Sequence, residues 1–158
     1  MNKALNAGDS VQGAKMDIGA VEKRFASYLE KAWALRDIEP FLLTYIRLLL
    51  LFKDEVSEKA LGVILERQKQ LRGEEFDDRD FELLRSSSRR EMDLDLRNEN
   101  GGTRAAMLNR MLFCALLDTE ETDFFYLTEP MFEFARKREV TPIQLKLILE
   151  SEFGGFKV

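Results

Sequence analysis

No histidine occurs among the 158 residues, and cysteine occurs once, as Cys114. The first absence removes the side chain that most often serves as general base, proton shuttle and metal ligand. The second excludes an intramolecular disulfide and a thiolate metal cage, which both need more than one sulfur. Proline is held to three residues and glycine to nine, four of these in the pairs Gly101-Gly102 and Gly154-Gly155. The closely spaced turn signals of an all-β sandwich are therefore missing. The apolar run Phe41 to Phe52 contains Thr44 and Arg47 and is too short for a membrane span, which takes ~20 residues. The first residues lack the apolar stretch of a signal peptide, so a reduced, cytoplasmic setting is expected.

Positive charge is also in deficit. The formal net charge is -5, and the basic runs, Arg85 with Arg89-Arg90 and Arg136-Lys137-Arg138, are flanked by acids. Phosphate neutralisation needs clustered Lys and Arg, so neither nucleic acid nor an anionic membrane is expected as a partner. Those runs read as solvated helix faces.

What is present suits packing. Apolar residues make up 45% of the chain, enough for a folded domain and too many for a disordered one. Residues 1–15 carry small and polar residues without a stripe and read as a flexible tail; 16–158 read as a single all-α domain. Ile18, Val21, Phe25, Leu29, Ala32 and Leu35 recur at helical steps behind Asp17, predicting a helix to about Arg36. Pro40 suits the first turn of the next helix, whose segment Phe41–Phe52 is apolar on nearly every side and so belongs at the centre of a core. Ser57 and Gly73 bracket a third helix with Ala60, Leu61, Ile64, Leu65 and Gln68 on its face. A fourth runs from about Asp78 into Arg90. Met92, Leu94 and Leu96 then alternate with charges, in a helical continuation or an irregular extended segment. Thr103 caps a second buried helix, Arg104–Leu117. A helical run around Pro130 ends near Glu139, and Thr141-Pro142 opens a last helix closed by Gly154-Gly155. The expectation is a compact all-α bundle of six or seven helices, with Phe41–Phe52 and Arg104–Leu117 as two buried central helices.

No motif carries catalysis. Gly101-Gly102 lacks the lysine of a phosphate loop, and no histidine exists to activate a serine. Acid pairs at three-residue spacing, Glu55/Glu58, Glu75/Asp78 and Glu120/Asp123, would suit a magnesium-dependent all-α phosphohydrolase. They sit at turns and first helical turns, where acids are favoured anyway. No cofactor or metal is expected, and the chain is expected not to be an enzyme.

The acids support binding better. Glu74 to Glu82 holds six carboxylates and one arginine with Phe76 and Phe81 among them, and Asp118 to Asp123 holds four more, followed directly by Phe124, Phe125 and Tyr126. Acidic fields steer a basic partner, and buried aromatics anchor it. The expected interface is Glu75, Phe76, Asp77, Asp78, Asp80 and Phe81, with Glu120, Glu121 and Asp123. Its partner would be a basic protein. By physical profile the chain suits an inhibitor of the immunity-protein or antitoxin kind, or alternatively a helical adaptor or secretion chaperone.

Overall fold

Local capping chemistry sets the helix starts. A computed structural model describes residues 17–31, 37–76, 79–99, 102–120 and 125–157. Asp17 accepts the Ala20 amide at 2.7 Å and opens α1 (Ile18–Lys31). Pro40 lies in the first turn of α2 (Glu39–Leu50), where its missing N–H costs no hydrogen bond. Ser57 accepts the Ala60 amide at 3.1 Å and opens α3 (Glu58–Leu71). Gly73 closes α3 at φ +81°, and the amides of Gly73 and Glu74 return to the carbonyls of Gln70 and Lys69. That pairing needs a left-handed residue, which glycine supplies without steric cost. After α4 (Phe81–Arg97), Thr103 caps α5 (Arg104–Ala115) through the Ala106 amide. A 3-10 turn, Phe125–Leu127, leads into α6 (Thr128–Lys137). Thr141 and Gln144 form a reciprocal capping box ahead of α7 (Pro142–Glu152).

The fold is all-α, with seven α-helices and no strand among the described residues. Where the pattern left two readings open at 91–97, the chain is helical through Arg97. Ser88, Met92 and Asp95 continue the inward side of α4 at helical spacing, so the alternation of Met92, Leu94 and Leu96 does not mark a strand. The face expected for α3 is rotated. Val63 and Arg67 are buried with Ala60, Ile64 and Leu71, whereas Leu65 is 40% exposed. The tail 1–15, and Ala32, Trp33 and Leu35 at the expected end of the first helix, lie outside the described residues.

The helices divide into two units. One, residues 37–131, contains α2 to α5. Eight side chains of α2 are buried, and α2 packs directly on α5, as expected of two central helices. α3 packs against α2, and α4 against α3 and α5. Tyr45 is fully buried and donates its hydroxyl proton to the Leu127 carbonyl, so the 3-10 turn is tied to the middle of α2. The Cys114 side chain of α5 lies within hydrogen-bonding reach of the same hydroxyl.

The other unit comprises residues 1–36 and 132–158 and is organised by aromatic rings. Phe25 of α1 meets Phe153 and Phe156 edge-on, with centroids 4.9 and 5.3 Å away, and Phe132 at 5.9 Å. Such geometries set the positive ring edge on the negative ring face. Gly155 passes so close to Tyr28 that a Cβ there would lie 3.2 Å from its ring. Arg136 and Glu22 form an ion pair within the same unit.

Burial pushes the Cys114 thiol up to about 11, and it also raises Tyr45 well above its usual range. The folded protein therefore keeps the thiol proton at pH values where the unfolded chain, at about 8.5, has released it. This contribution is complete below pH ~8.5 and is lost as pH rises toward 11. Chemical denaturation across that window should show wild type losing about 3 kcal/mol more than Cys114→Ala. Parallel pH profiles for the two proteins would contradict a buried, protonated thiol.

Candidate functional site

In the unit of residues 37–131, both acidic segments leave from one cluster. Val63 of α3, Phe81 of α4 and Leu116 at the exit of α5 are buried together, with Phe76 and Leu84 packed against them. Phe76 meets Phe81 edge-on at 5.6 Å. The segment holding Glu74, Glu75 and Asp80 is thus fastened at Phe76 and Phe81, and the segment beginning at Asp118 emerges next to Leu116.

Arg67 binds this cluster together. Its guanidinium lies over the Phe81 ring, 4.8 Å from the centroid, and the residue is only 3% exposed. Nη2 donates to the Leu117 carbonyl, and Nη1 donates to the Gln70 side-chain oxygen at 2.6 Å. The Leu117 carbonyl follows the last turn of α5, where an arginine donor satisfies an otherwise orphaned acceptor. Burial and the nearby Arg85 lower the Arg67 pKa to about 10, while Asp118, Glu39 and Glu82 act in the opposite sense. A buried cation is tolerated only with such partners. Nε is buried without a hydrogen-bond partner.

A groove of about 340 Å³ opens beside the cluster, between α3 and the approach to α4. Glu58, Lys59, Gly62, Val63 and Glu66 line it from α3, and Arg79 and Asp80 close it. Val63 also belongs to the Phe81 cluster, so the groove wall and the Arg67 clamp share a side chain. Lys59 pairs with Asp80 at 3.7 Å across the groove, and both are more than half exposed. A pair in that setting contributes little stability and is free to exchange partners.

The expected site residues therefore differ in kind. Glu75, Asp80 and Glu120 are exposed, and the Glu120 amide donates to the Asp118 carboxylate at 3.0 Å. Phe76 is half-buried. Phe81, expected as a partner anchor, is 8% exposed and packs with Val63, Leu116 and Arg67. Asp77, Asp78, Glu121 and Asp123 lie outside the described residues, as does Phe124. Of the acid pairs weighed for metal binding, Glu55 is engaged by Arg104 at 3.3 Å. Among the described residues, no three acidic or cysteine side chains are grouped to hold a cation. No helix among them is long and apolar enough to cross a membrane.

Arg67 went unnoticed in the sequence although its position carries the signal. It lies on the stripe Ala60, Ile64, Arg67, Leu71, and a lone cation on a buried stripe marks either a paired charge or a functional one. No family model, curated protein or solved structure matches this chain.

Arg67→Lys should destabilise the protein by about 2–3 kcal/mol in urea titration, because an ammonium cannot form the same planar fork or stack on Phe81. A loss below about 0.5 kcal/mol would show that the clamp is dispensable.

Proposed function

We propose that this protein acts by binding, with no chemistry of its own, as a cytoplasmic inhibitor of a basic protein in the manner of immunity proteins and antitoxins. The groove between α3 and α4 carries this reading. Three carboxylates, Glu58, Glu66 and Asp80, and two cations, Lys59 and Arg79, line a concave surface. Exposed Glu74 and Glu75 stand on the segment between those helices and add negative charge. A basic side chain entering the groove would compete with Lys59 for Asp80, exchanging one exposed ion pair for another at small cost.

The burial of Phe81 alters how such a surface would work. Its ring supports the segment and makes no direct anchor, leaving half-buried Phe76 as the aromatic nearest the exposed acids. Fixing a binding segment before the partner arrives reduces the ordering entropy lost on association. In this reading Arg67 and Phe81 preorganise the segment, and Glu75 and Asp80 steer the partner.

A partner captured from native cells should be basic. Against it, Glu75→Lys/Asp80→Lys should slow association about tenfold at low ionic strength, with the two rates converging as salt screens the surface. Dissociation should change less. An acidic partner, or association kinetics indifferent to the reversal at low salt, would remove this assignment.

A further inference from the structure

α4 turns one side to α3 and α5 and another to solvent. Phe81 and Ser88 are buried, and Leu84, Arg85, Met92 and Asp95 are half-buried at the same helical period. Away from them lies a groove of about 250 Å³ lined by Ser86, Arg89, Arg90, Asp93, Leu94 and Arg97. It holds three guanidiniums and one carboxylate, in a chain whose net charge is -5.

Those arginines differ from others in the fold. Arg67, Arg85, Arg104 and Arg136 are each engaged by an oxygen of the protein. Arg89, Arg90 and Arg97 make no ion pair or hydrogen bond with any described residue. The first and last stand eight residues apart, about 12 Å along the axis. Like charges gathered on one helix face oppose its formation. Apolar surface accompanies them. Leu83 is 64% and Leu94 42% exposed, and eleven residues of separation returns both to nearly one face.

We infer that this face of α4 docks an acidic amphipathic helix from a partner protein. Guanidinium forks accept carboxylates bidentately, and Leu83 and Leu94 provide the apolar contact that such a helix would cover with residues at i, i+3 or i+4 spacing. Polyphosphate fits less well, because the exposed leucines would be left uncovered. A lipid surface also fits poorly, because the inward apolar side of α4 is already used in packing. The surface is separate from the groove between α3 and α4. Together the two would let the protein bridge a basic and an acidic partner.

The test is selection of phage-displayed peptides of roughly 16 residues on the full chain at low ionic strength. Selected peptides should be rich in Asp and Glu, with Leu or Ile at helical spacing, and should become helical on binding by circular dichroism. Arg90→Glu/Arg97→Glu should weaken the best peptide at least about tenfold, and Leu94→Asp should weaken it too. Arg90→Gln/Arg97→Gln, with unfolding midpoint and helicity as folding controls, should give a smaller loss in the same direction. Glu75→Lys/Asp80→Lys should leave peptide affinity unchanged, which separates this inference from the proposed inhibitor site. Peptides without acidic bias, equal affinity for the arginine variants, or tighter binding of duplex DNA or anionic vesicles would each overturn it.

Discussion

A guanidinium out of water is the constraint around which the unit of residues 37–131 is arranged. Removing a cation from solvent costs several kcal/mol even after relaxation, so its partners must be in place together. For Arg67 these come from separate elements: Gln70 from its own helix, Phe81 from α4, and the Leu117 carbonyl from the exit of α5. Displacing any one would leave the charge, or the carbonyl it serves, buried without compensation. The ends of α3, α4 and α5 are thereby coupled. The exposed acids lie on the connections that leave these ends.

That coupling gives the acidic segments a physical context that composition alone does not supply. A run such as Glu74 to Glu82 would ordinarily repel itself and remain solvated. Here Phe76 and Phe81 pin the segment to Val63 and Leu116, while Asp80 remains exposed at the edge of a groove. Preorganised charge of this kind speeds the approach of an oppositely charged partner and makes that rate salt-sensitive. The unengaged arginines of α4 present the opposite sign on the other side of the same helix.

Much of the helical framework was legible because its determinants are local. Ser57, Thr103 and Thr141 each announce a helix start by a side-chain oxygen, and each accepts the expected amide. α2 could be placed at the centre because nearly every residue on it is apolar. The inward face of α3 was harder. Hydrophobicity favoured Leu65, whereas a long charged side chain took a buried position because an aromatic ring and a carbonyl across the fold accept it. Such partners are remote in sequence, so no spacing rule names them. The same reason hid the role of Phe81, which a charge pattern marks as an anchor and a distant arginine holds as core. The continuation of α4 through Arg97 depended on packing that the alternation of Met92 and Leu94 did not reveal.

Hydrogen exchange on wild type and Arg67→Met tests the coupling most directly, because it reads each helix end separately. Loss of the guanidinium should lower amide protection together at the last turn of α3, at Leu84 in the first turn of α4, and at Leu116 and Leu117. Protection at the centre of α2 should fall only as far as global stability falls. If the loss is confined to α3, with Leu84, Leu116 and Leu117 as protected as before, the three ends are not held by one residue.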